Sequence, residues 1–140
     1  MEIFAVFDCI IIYLPDHISR FDPVSEQFET VLLEDWQGFY GHAGSCMVDG
    51  DGILWKTIDD MLYGVDTTDL SVVDMIQMPE GMQWGVAIDF YGYVWTIPRN
   101  GTTAYRVDPT DHTIESIGGL VGAYTYSDMT GFMLNGVAAG

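Results

Sequence analysis

Residues 84–109, WGVAIDFYGYVWTIPRNGTTAYRVDP, read as strand, tight turn, strand, loop and strand. Phe90-Tyr91-Gly92 marks the first turn. Arg99-Asn100-Gly101 marks the second, and Gly supplies a dihedral that other residues resist. The same pattern occurs upstream and begins again downstream.

Three residue series fix the period. Asp8 (FAVFD), Asp49 (GSCMVD), Asp89 (WGVAID) and Asp128 (AYTYSD) close matching apolar segments, 41, 40 and 39 residues apart. Asp22 (ISRFDP), Asp66 (LYGVDT) and Asp108 (AYRVDP) follow at spacings of 44 and 42. Gly52, Gly92 and Gly131 each stand three residues after an Asp of the first series. A period near 40 with short strands predicts an all-β chain. The expected architecture is a β-propeller of about three four-stranded antiparallel blades plus the first hairpin of a fourth.

The single partial domain divides accordingly. Blade 1 spans about 2–36, with strands expected over Phe4–Asp8, Ile10–Leu14, His17–Asp22 and Phe28–Glu34. A Gly-rich link, Gln37–Gly44, leads back towards the axis. Blade 2 spans about 44–79, with strands over Gly44–Asp49, Ile53–Ile58, Met61–Asp66 and Leu70–Met78. Its Asp51-Gly52 turn between apolar runs is a hairpin signal. Blade 3 spans about 81–120; after the Phe90 turn it continues through Tyr93–Ile97, Thr103–Asp108 and Thr113–Ile117. A half blade covers about 122–134. No segment shows a helical period; Ser25–Glu34 fits alternation better.

The 140 residues include 21 acidic and four basic ones, for a net charge of −17. No basic patch can be assembled from four cations, which argues against nucleic acid and anionic membranes as partners. No apolar run is long enough for a membrane span. The N-terminal MEIFAVFDCIIIYLP lacks the basic start and cleavage site of a signal peptide. Cys9 and Cys46 fall by inner strands of neighbouring repeats; free thiols are expected, with a disulfide as the alternative.

The repeated aspartates read as turn formers that accept backbone N–H groups two residues on. Asp49-Gly50-Asp51-Gly52 starts like a calcium loop, but Ile53 and Asp60 stand at its fifth and twelfth positions. Trp55 and Trp95 occupy equivalent positions and read as packing between blades. Trp84, Tyr124 and Tyr126 form the candidate ligand-facing aromatic patch, with His42 near an inner strand. Ser45 and Ser127 lack the partners of a nucleophile. No catalytic or metal residue is assigned.

GVAIDFYGYVWTI followed by AYRVDP resembles the blades of streptogramin B lyase-like propellers and of the wider group with NHL and YncE-type propellers. The likeness covers roughly Phe4 to Leu134. It implies the propeller fold. For the lyase branch it also implies metal-assisted opening of a cyclic peptide, with histidines, a glutamate and magnesium. The histidines here are His17, His42 and His112, and only His42 approaches an inner strand.

The leading expectation is a non-catalytic binding or scaffolding propeller without cofactor, extracellular, periplasmic or at the cell surface. Its partners would be itself or further blades, with a small molecule, peptide or glycan as ligand. The alternative is a metal-assisted lyase or lactonase-like hydrolase using Mg²⁺ or Ca²⁺, its site completed by other blades.

Overall fold

The computed structural model describes residues 17–22, 24–32 and 43–123. All regular structure in these residues is β. Among them no helix is long and apolar enough to cross a membrane. The expected strands Phe4–Asp8 and Ile10–Leu14, and most of the half blade, lie outside the described residues.

The chain forms two compact units, divided after Gly41. In the first, β1 (His17–Asp22) and β2 (Gln27–Leu32) pair antiparallel. Phe21 faces Phe28 across the pair, with ring centroids 5.0 Å apart. Arg20 is ion-paired with Glu29. Asp22 closes the hairpin: Oδ1 accepts the Val24 N–H at 2.9 Å and Oδ2 the Ser25 hydroxyl at 2.6 Å. These bonds, the Ser25 hydroxyl first, hold its carboxyl below the ordinary value.

The second unit holds two four-stranded antiparallel sheets, each in sequence order. The first comprises β3 (Ala43–Val48), β4 (Ile53–Ile58), β5 (Met61–Asp66) and β6 (Val72–Gln77). The second comprises β7 (Gln83–Ile88), β8 (Val94–Pro98), β9 (Gly101–Val107) and β10 (Ile114–Ala123). Three expected strands, β1, β4 and β5, keep their bounds. β10 runs past the expected end at Ile117. Its register shifts between Gly118 and Ala123, where Ala123 pairs with Gly101. Gly119 and Gly122, with φ of 101° and 56°, absorb the irregularity. Gly122 and Ala123, assigned from sequence to the start of the next blade, therefore belong to this strand.

The core lies between the sheets. Strand alternation puts Trp55, Leu62 and Ile76 on one face of the first sheet. They meet Val86, Ile88, Val94, Tyr105 and Val107 of the second. Leu62, Val86, Val94 and Val107 are fully removed from water. Each such aliphatic side chain contributes about 1.5–3 kcal/mol by burial. Gly64 stands opposite Trp55 in register, and a Cβ there would lie 3.2 Å from the indole ring. The missing side chain makes room for the tryptophan.

β7 is an edge strand, and β3 runs beside it. Two of its backbone donors are capped by side chains from β3. The Val86 N–H donates to Ser45 Oγ at 2.6 Å, and the Ile88 N–H to Met47 Sδ at 3.3 Å. A buried amide without an acceptor would cost about 1–3 kcal/mol. Gly44 permits the close approach: a Cβ there would stand 2.1 Å from Thr57 Oγ1 and 2.4 Å from the Trp84 carbonyl.

Candidate functional site

The turns explain the Asp series. Asp49 Oδ1 accepts the Asp51 and Ile53 N–H groups, both at 2.9 Å. Its Oδ2 accepts the Trp55 indole N–H at 2.7 Å. Asp89 repeats the set with Tyr91 (2.8 Å), Tyr93 (3.1 Å) and Trp95 (2.9 Å). Both oxygens of each carboxylate are thus occupied by the turn and the tryptophan. The calcium-like stretch at Asp49 is a strand-connecting turn. The two series singled out in sequence are one device, an Asp–Trp clamp with its partners six residues apart. That constant spacing was the signal that joined them. Asp8 and Asp128 have Leu14 and Leu134 at the same distance.

The second Asp series works likewise at the other hairpins. Asp66 Oδ1 accepts the Thr68 N–H and hydroxyl, and Asp108 Oδ1 the Thr110 N–H. Four residues after each Asp, the chain turns left-handed: Glu26, Leu70 and His112 have φ of 57°, 60° and 61°. His112 Nε2 then reaches Asp74 Oδ2 of β6 at 2.8 Å, linking the two sheets.

Of the four ligand-facing candidates, Trp84 is described. Tyr124, Tyr126 and His42 lie outside the described residues. Trp84 is partly buried near the start of β7, and the Arg99 guanidinium stacks on it, 5.1 Å from the ring centroid. Arg99 belongs to the β8–β9 turn, whose backbone ties to the same end: its N–H donates to the Met82 carbonyl at 3.0 Å. An exposed guanidinium on an indole face forms a cation–π pair and still presents N–H donors to a ligand. Sequence reading missed Arg99, because nothing in the order of residues marks a stack across fifteen positions.

Two further polar groups are buried. Lys56 is 7% exposed and makes no hydrogen bond or ion pair among the described residues. Cys46 and Tyr63 flank it in register. Burial pushes its amine down to about 8. Tyr105 is raised by burial and by its bond to the Glu80 carboxylate. Cys46 is disulfide-bonded, which corrects the expectation of a free thiol there; Cys9 lies outside the described residues. The Ser45 hydroxyl is spent on the Val86 amide, so it is a structural acceptor.

Among the described residues no group of three or more His, Cys, Asp or Glu side chains is placed to hold a metal ion. No protein-family model matches the sequence, and no curated protein matches it.

Proposed function

We propose that this chain is a run of β-propeller blades serving as a non-catalytic binding or scaffolding module. One observation carries the reading. Two consecutive sheets repeat the same strand order and the same Asp–Trp clamp, with their first strands, β3 and β7, side by side. That is the relation between neighbouring propeller blades, whose inner strands line a common axis. The hairpin of β1 and β2 shares its Asp turn with β5–β6 and β9–β10, as the outer half of a blade would. The likeness to streptogramin B lyase-like, NHL and YncE-type blades belongs to this reading, for fold rather than activity.

The binding surface lies at the end of the second sheet where Arg99 covers Trp84. It suits a ligand with an anionic or polar group beside a flat apolar ring, such as a peptide carboxylate or a glycan. Further blades, from this protein or a second copy, are the structural partners. An extracellular, periplasmic or surface placement goes with the disulfide at Cys46, since cytosolic thiols are kept reduced.

Two measurements test the proposal. Light scattering during size-exclusion chromatography should give a mass above that of one chain; a folded monomer counts against assembly with a second copy. Thermal unfolding in the presence of acidic peptides and oligosaccharides should show a rise in midpoint that Trp84→Ala removes. A rise that survives Trp84→Ala, or turnover of the ligand, would overturn the assignment.

A further inference from the structure

Asn100, Gly101 and Thr102 occupy the β8–β9 turn and the first residues of β9. Asn-Gly-Thr is the acceptor sequence for N-linked oligosaccharides. Such sequences occur by chance, so their structural setting decides. Here the setting is favourable on three counts. Asn100 and Thr102 are both exposed. The Asn100 side-chain amide and the Thr102 hydroxyl make no hydrogen bond among the described residues. Asn100 sits at φ 59°, and its backbone is held by the bond from its N–H to the Ala123 carbonyl at 2.8 Å. The backbone of the turn is thus tied to β10, while its side-chain amide carries no bond among the described residues.

The compartment agrees. The disulfide at Cys46 belongs to an oxidising environment, which is where this modification is made. The chain has one other asparagine, Asn135, which precedes Gly136 and Val137 and so lacks the hydroxyl residue.

We propose that Asn100 is a glycan acceptor. The donor is an oligosaccharide carried on a lipid pyrophosphate, and a membrane transferase supplies the catalysis. Asn100 Nδ2 attacks the anomeric carbon of the first sugar. The new C–N bond forms as the C–O bond to pyrophosphate breaks. The lipid pyrophosphate leaves with that electron pair, and the amide gives one proton to the enzyme's base. The Thr102 hydroxyl is the group the transferase reads.

The inference rests on the extracellular placement above, and the test keeps the two apart by imposing the compartment. The full chain, fused to a cleavable secretion signal, is translated in the presence of microsomes. The expected product gains the mass of one oligosaccharide, lost on peptide N-glycosidase treatment with a 1 Da gain at residue 100. Asn100→Gln and Thr102→Ala should each abolish the shift; Thr102→Ala leaves Asn100 and its turn in place. An imported chain of unmodified mass overturns the acceptor. So does a 1 Da gain at residue 100 with no sugar, which is spontaneous deamidation at Asn100-Gly101. Neither result bears on where the native protein resides.

Discussion

Trp55 donates its indole N–H to Asp49 at 2.7 Å, and so ties the second strand of the first sheet back to the turn that precedes it. The aspartate meanwhile holds two backbone amides of the turn. Trp55→Phe removes the indole bond and part of a side chain that is 3% exposed. The expected loss is about 2–4 kcal/mol. Trp95→Phe should cost less, because Trp95 is only partly buried although its bond to Asp89 is equivalent. Urea unfolding of both variants checks the order; equal losses would mean that the bond, rather than the packing, dominates.

Gly44 is where the two sheets come closest. Gly44→Ala places a methyl carbon within 2.4 Å of the Trp84 carbonyl, a backbone atom that cannot swing aside. The sheets must separate. A loss of about 2–4 kcal/mol is expected, as for overpacked cores. Gly81→Ala, where nothing lies within 4 Å of the added carbon, is the matched control and should change the midpoint little.

Ser45→Ala leaves the Val86 amide without its side-chain acceptor. Stability should fall by about 1–3 kcal/mol. The telling readout is hydrogen exchange at the Val86 amide, which should speed up more than exchange at Val94 in the strand beside it. Uniform acceleration through both sheets would show that the cap has no local role.

Lys56 predicts a pH effect of definite sign. Its amine has an ordinary value of 10.5 in the unfolded chain and about 8 in the fold. Between these values the unfolded chain holds a proton that the folded one lacks, so stability rises with pH across that window. Below pH 8 both forms are charged and the full cost of burying the ammonium is present, on the order of 3 kcal/mol. Lys56→Met should therefore be stabilised at pH 7 and lose the rise between pH 8 and 10. If it is destabilised at pH 7 instead, the amine has a compensating partner.

The strands were legible where turn chemistry bounded them. The Asp49 to Gly52 turn fenced the start of β4, and the turn-forming Asp66 fenced the end of β5. β10 was ended at Ile117 and Gly122 given to the next blade, whereas a strand with positive-φ glycines at 119 and 122 can kink and resume. The site was less legible. Trp84 was found because an aromatic opens an inner strand, but its contact with Arg99 depends on how a turn folds back. Lys56 alternates in β4 as a solvent-facing residue would, and only the packing around it shows that it is buried. The Cys46 disulfide could not be read from two cysteines without their geometry.

The Asp–Trp clamp closes over six residues, and that shortness has a consequence for how the chain assembles. Bringing together groups so near in sequence costs little loop-closure entropy. Each first hairpin can lock on a timescale of about 1–10 μs. The Ser45–Val86 seam spans forty-one positions and must wait for both hairpins. Contacts of low order thus precede those of high order. A nascent chain emerging from the ribosome would secure β3 and β4 before β7 is synthesised. The exposed rim of the first sheet would stay open until its neighbour arrives, so the interval between the two hairpins is when chaperones have most to offer.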